Sequence, residues 1–258
     1  MKKGGFNKIG GFVLVLVLIF LAIPFFLKRP KKIPPVPVVT KGRIAIVLDD
    51  WGYNLNSLEI LRQIRYPLTM SVLPSLGYSQ SAAQELHRMG FEIILHLPME
   101  PLEKYHLEKN TILVTMKEGE IAKIINKDLA SVPYCVGVSN HMGSRATEDL
   151  TTMRVVFKEL RKNKLYFLDS FVSHKSICAV LAREMGLSFF QRDVFLDNEE
   201  NPAYILQQIH KLKNKARVNG KAIGIGHDRK ITLRVLKQIM PELEKEGYKL
   251  VYLSELLN

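Results

Sequence analysis

Three histidines and a pair of adjacent carboxylates stand where this sequence could do chemistry. Asp49 and Asp50 directly follow the apolar run Arg43–Leu48. Two neighbouring carboxylates at a strand end repel each other and lose hydration, so something must compensate. A metal ion does this; a helix-capping Asp beside a solvated one is the plain alternative. His96 lies in Leu95-His96-Leu97-Pro98-Met99-Glu100, among apolar neighbours. Alone it reads as a satisfied core histidine, with Glu100 four residues on and able to face the same site. His141 sits in Ser139-Asn140-His141-Met142-Gly143-Ser144, where Gly143 permits an unusual backbone or close approach of a ligand. Asp169-Ser170, Arg192-Asp193 and Gly226-His227-Asp228 end further apolar runs. An Asp-His-His set with open positions suits Zn2+ or a similar divalent ion. Such an ion acidifies water to a pKa of ~7, while a nearby carboxylate can serve as base and a histidine as acid.

These residues need elements that bring them together. The chain from Lys41 alternates short apolar runs with amphipathic ones. Strands are expected at 43–48, 68–73, 91–97, 134–139, 165–168, 187–190, 221–225 and 249–253. Helices are expected from Asn54 to about 64, then at 79–89, to about 130 after a Thr115–Glu118 capping box, 149–163, 175–185, 202–219 and 232–246. Strands alternating with helices predict a parallel sheet in an α/β fold. The polar residues cluster just after the strands. Six such ends converging on one face favour a (β/α) barrel, with its site at the C-terminal ends, over an open doubly wound sheet.

Composition narrows the classes. The chain has 258 residues, 47% hydrophobic and 24% charged, which excludes a disordered or collagenous chain. Its two cysteines cannot build a disulfide framework and read as core residues. The net charge of +12 is concentrated at the N-terminus: seven of the 37 basic residues lie in 1–32, which hold no acid. The remaining balance gives no argument for nucleic acid. Residues 9–27 are uncharged and long enough to span a bilayer as a helix. The absence of a small-residue cleavage site favours a retained anchor over a cleaved signal peptide. Residues 1–28 therefore read as signal-anchor or signal peptide, 29–40 as a basic Pro-rich linker, and 41–258 as the folded domain. No dinucleotide-binding glycine motif, phosphate-binding loop or nucleophile elbow is present.

The sequence resembles the divergent polysaccharide deacetylases, relatives of the NodB-type carbohydrate esterases. The resemblance rests on Val47-Leu-Asp-Asp-Trp-Gly52, His96-Leu-Pro-Met-Glu-Pro101, Ser139-Asn-His-Met-Gly-Ser144, Asp169-Ser170, Arg192-Asp-Val-Phe-Leu-Asp197 and Ile225-Gly-His227. It implies a NodB-like (β/α) barrel, often seven-stranded, and an extracytoplasmic site, in the periplasm or at the cell surface. It implies Asp49 as base, Asp50 as metal ligand and His227 as acid. The family's His-x-x-x-His motif reads His96 to Glu100 here, so His141 stands in for the second histidine, and its Arg-x-Pro-Tyr motif is absent. Glu100, Asn140, Ser144, Asp169, Arg192 and Asp193 are the implied substrate-binding or supporting residues. The expected activity is metal-dependent removal of N-acetyl groups from an envelope polysaccharide such as peptidoglycan, with Zn2+ first among the candidate ions. A noncatalytic envelope protein binding glycan or a protein through the same cleft is the rival, and another metal hydrolase, such as a phosphoesterase, a third reading.

Overall fold

The computed structural model describes residues 40–257, so the expected anchor and the linker up to residue 39 lie outside the described residues. Among the described residues, no helix is long and apolar enough to cross a membrane. The elements run β1 (Gly42–Trp51), α1 (Leu58–Leu61), β2 (Thr69–Val72), α2 (Ser79–Arg88), β3 (Glu92–Met99), α3 (Glu118–Ser131), β4 (Cys135–Met142) and α4 (Leu150–Lys162). They continue with β5 (Tyr166–Asp169), α5 (Cys178–Met185), β6 (Phe189–Gln191), β7 (Val194–Phe195), α6 (Pro202–Asn219), β8 (Lys221–His227), α7 (Lys230–Lys245) and β9 (Tyr248–Val251).

The strands form one parallel sheet in the order β6-β5-β4-β3-β2-β1-β8-β7. β9 pairs with Gly42–Ala45 of β1 and β2 with Val47–Trp51, so the two divide one edge of β1. The sheet curls, and its two end strands are successive pieces of one segment. The Arg192 N–H donates to the Asp169 carbonyl, and the next residue's N–H to the Ile223 carbonyl of β8. One short stretch thus reaches both β5 and β8.

Strands β1, β2, β3, β5 and most of β8 are buried on both faces, as the middle of a parallel sheet covered by helices requires. Ile44, Ile46 and Leu48 of β1 pack outward in the larger core with Leu61, Leu86, Phe157 and Leu236 of the helices. Ala45 and Val47 point the other way, into a second cluster with Ile94, Tyr166, Leu168, Phe190, Ile223 and Ile225. Side chains alternate along a strand. The inward rows therefore continue upward from Ala45 and Val47 to Asp49, from Ile94 to His96, and from Ile223 and Ile225 to His227. An apolar plug fills the base of the curl, and the ionisable groups form its upper layer.

Four expectations need correction. The helix read from Asn54 to residue 64 is a single turn, Leu58–Leu61. The Asn54 side chain instead accepts from the Asn56 N–H, a local bond that competes with a helix. The capping box lies two residues later: Glu120 accepts the Lys117 N–H at 2.8 Å. The helix read from Lys175 begins at Cys178. Nine strand segments stand where about eight were expected; β7, two residues long, is too short to show a period.

Candidate metal centre

Asp49 reaches the site by simple alternation, but Asp50, as the next residue, should face away. It does not, because its backbone is left-handed, with φ 68°, and the β1–β2 register slips between Leu48 and Trp51. An L-residue other than Gly adopts this conformation at a cost and is held in it by its surroundings. Met142 and Phe171, just after the polar ends of β4 and β5, are also left-handed. Gly143 follows with φ 88°, and a Cβ there would lie 3.0 Å from the Cβ of Met99. This tight corner ends the His141 strand against β3.

Asp50, His96 and His141 converge, with their ligand atoms within 4.8 Å of one another. Asp50 Oδ1 lies 3.4 Å from His96 Nε2 and 3.2 Å from His141 Nδ1. The two rings meet edge to face at 4.9 Å. Asp50 Oδ1 is buried without a hydrogen-bond partner, and so is Asp49 Oδ1. Ligands bound tetrahedrally at ~2.0–2.1 Å stand ~3.3 Å apart. The observed separations match that spacing, and the orphaned oxygen is the atom such an ion would satisfy. The residues fit a divalent ion of the Zn2+ type. A ligating histidine donates its other ring N–H to an orienting group. Ser139 Oγ, 2.8 Å from His96 Nδ1, is placed to accept it, and Ser71 Oγ lies 2.7 Å beyond.

The carboxylates differ electrostatically. Burial pushes the Asp49 pKa up and Asp50 adds to this, against the opposing pull of His96 and His227. Burial also acts upward on Asp50, but the close approach of His141 and His96 holds it far below the usual carboxylate range. Asp50 is thus a permanent anion and Asp49 the more basic of the two.

His227 pairs with Asp49 across β1 and β8. Its Nδ1 is 2.7 Å from Asp197 Oδ1, and its backbone N–H donates to Asp197 Oδ2. Thr232 Oγ1 donates to that oxygen at 2.6 Å. Gly226 leaves room for this threonine, since a Cβ there would stand 3.1 Å from Thr232 Cγ2. Burial alone would lower the His227 pKa. The Asp197 hydrogen bond and charge, with the charges of Asp49 and Asp50, outweigh it and raise the value above that of an ordinary imidazole. With Nδ1 engaged, Nε2 is the nitrogen left for a substrate.

The supporting residues named from the sequence divide into loop ties and barrel contacts. Glu100 accepts from the Val114 N–H and from Arg145, pinning the β3–α3 loop rather than joining the histidines. Asn140 accepts from the Ser170 N–H and donates to the Met142 carbonyl. Ser144 accepts from the Leu102 N–H. Asp169 accepts from the Phe171 N–H and the Ser176 hydroxyl. Arg192 donates to the Ser170 and Phe171 carbonyls and lies 3.7 Å over the Phe195 ring, which stacks on His227. Asp193 accepts from the Ile223 N–H and meets Lys215. Sequence reasoning missed Asp197, Ser71 and Ser139 as working groups. Their signal was a polar residue in an otherwise apolar strand or just past one.

A curled parallel sheet thus carries an Asp-His-His cluster and an Asp-backed histidine at its C-terminal rim. The family model for divergent polysaccharide deacetylases matches residues 46–257, and the chain belongs to that family. It is 39% identical over 220 residues to the uncharacterized protein YibQ of Escherichia coli K12, covering 85% of this chain and 69% of that one. The crystal structure of the uncharacterized protein ATU2773 from Agrobacterium tumefaciens C58 is similar, with a TM-score of 0.79 and 26% identity over 83% of this chain and 89% of that one. The fold is shared with a family 4 carbohydrate esterase from Streptomyces lividans, solved with acetate: TM-score 0.55, 15% identity, 81% and 92% covered.

Proposed function

We propose that this protein is a metal-dependent hydrolase that removes N-acetyl groups from an envelope polysaccharide, peptidoglycan among them. The observation that carries the reading is the buried, unpartnered Asp50 Oδ1 with two imidazole nitrogens at tetrahedral ligand spacing. Asp50, His96 and His141 would hold the ion, which supplies Lewis-acid polarisation of the acetyl carbonyl and acidifies water. Asp49, raised by burial, takes the proton of the attacking water. The C–N bond then breaks as His227 Nε2 delivers a proton to the departing amine, giving acetate and a free amino sugar. Asp197 holds the imidazole in orientation and stabilises its protonated form. The apolar residues beneath the cluster limit water at the base of the site. The apolar segment 9–27 would tether the domain to the cytoplasmic membrane, with the site on the periplasmic or outer side.

The noncatalytic rival draws on one feature. The half-buried guanidinium of Arg192 is already engaged by two carbonyls and an aromatic ring. It is therefore not poised for a substrate oxyanion.

The test is acetate release from an N-acetylated glucosamine hexamer by Zn2+-loaded protein across pH. The rate should fall on the alkaline side with a midpoint above that of an ordinary imidazole, because the acid must keep its proton and its pKa is raised. In Asp197→Asn the midpoint should move to lower pH, since the charge that raises it is gone. Absence of acetate at every pH would leave the binding protein as the reading.

A further inference from the structure

Six helix-to-strand turns bring the chain back to the N-terminal ends of the strands, opposite the metal centre, and each contains one left-handed residue. In four of them it is glycine: Gly90, Gly186, Gly220 and Gly247. Such a turn favours glycine, because a Cβ is strained there. The other two residues are Tyr134 and Lys164, with φ 68° and 57°. Tyr134 is held by its stack on His87 at 4.1 Å. Lys164 has no hydrogen bond or ion pair among the described residues to offset its strain. It lines a cavity of about 430 Å³ with Arg161, Val136, Leu187, Ser188 and Leu257. Both cations are exposed, and no Asp or Glu among the described residues lines the cavity. Val136 and Leu257 are also exposed, so its walls offer apolar surface beside the two charges. The dipole of α4 favours a cation in its last turn, which accounts for Arg161 but not for a lysine in the place of a glycine.

The chain enters the domain beside this cavity. The Lys41 N–H donates to the Gly247 carbonyl. Arg43, at the foot of β1, donates to the Glu255 carbonyl, in the C-terminal turn whose Ser254 and Leu257 line the cavity. Residues 28–40 separate Lys41 from the apolar segment 9–27, at most ~45 Å of extended chain. A phospholipid headgroup has the complementary form: a phosphate for the two cations, and an acyl boundary for the apolar residues around them. We propose that this end of the domain rests on the bilayer, with an anionic phospholipid headgroup held in the cavity by Arg161 and Lys164. The metal centre, at the other end of the strands, then opens away from the membrane. The inference rests on the anchor reading of residues 9–27 and is independent of the hydrolase.

The experiment is hydrogen–deuterium exchange of the full-length protein in nanodiscs of phosphatidylcholine, with and without phosphatidylglycerol. Amides of residues 161–166, 186–188 and 254–257 should exchange about three- to tenfold more slowly in the anionic discs, and high salt should remove the difference. Lys164→Gly should melt ~2–4 °C higher, because the strain is relieved, yet lose most of this protection. Lys164→Arg should keep the protection, and Arg161→Gln should weaken it. Equal exchange in the two kinds of disc, or protection unchanged in both Lys164→Gly and Arg161→Gln, would overturn the proposal. Equal protection by inorganic phosphate in neutral discs would also overturn it, because the cavity would then be a site for a soluble anion. Protein that elutes apart from the discs refutes the anchor alone; the same exchange against vesicles of the two compositions then decides the cavity.

Discussion

Asp50→Asn is expected to lower affinity for Zn2+ by more than about 100-fold and to bring acetate release down to background. Removing an orienting partner of a ligand already costs 10–100-fold, and a ligand itself costs more. The substitution keeps the side-chain volume but removes the anion at the centre of the cluster, the atom 3.2 and 3.4 Å from the two imidazoles. A depressed pKa means that the folded state favours the Asp50 anion, so thermal stability without metal should fall as well. His141→Ala should lose the ion equally. Titration with a zinc indicator and thermal melting read the two effects separately. Wild-type affinity in both variants would mean that Asp50, His96 and His141 are a hydrogen-bonded cluster and nothing more.

His227→Ala should reduce turnover on an N-acetylated hexamer by ~10²–10⁴ while zinc content stays near wild type, the range general acid catalysis typically supplies. An amine cannot leave as an anion at any reasonable rate, so the loss should appear in kcat rather than KM. A small decrease in stability is also expected, because Asp197 is left buried with only the Thr232 hydroxyl and the residue 227 N–H. Zinc loss together with activity would make His227 a ligand. Unchanged turnover would remove it from the chemistry.

Much of this site was legible because period and polarity coincide. The run Arg43–Leu48 ends in carboxylates, and Lys221–Ile225 is followed by Gly226-His227. In a sheet buried on both faces, a polar group at a strand end is expensive unless it works or is paired. The observed helix Pro202–Asn219 matches the expected bounds: Asn201 caps it, Pro202 starts it, and Gly220 closes it with φ 75°. What stayed hidden depends on backbone geometry or on partners distant in sequence. Alternation places only one of Asp49 and Asp50 inward; a left-handed residue and a register slip bring in both. The Asp197–His227 bond joins residues 30 positions apart, across the helical crossover through α6 between β7 and β8. Asn140, Ser144 and Glu100 have the residue types of substrate contacts, yet each ties a loop. Residue type alone does not separate a group facing a ligand from one facing a backbone N–H.

The central claim is that Asp50, His96 and His141 hold one divalent ion. Anomalous diffraction at the zinc edge, from crystals of the protein equilibrated with Zn2+, tests it most directly. The account predicts a single strong peak ~2.0–2.2 Å from Asp50 Oδ1, His96 Nε2 and His141 Nδ1. No peak there in a zinc-saturated crystal, or a peak at Glu100 with His141 turned away, would contradict it.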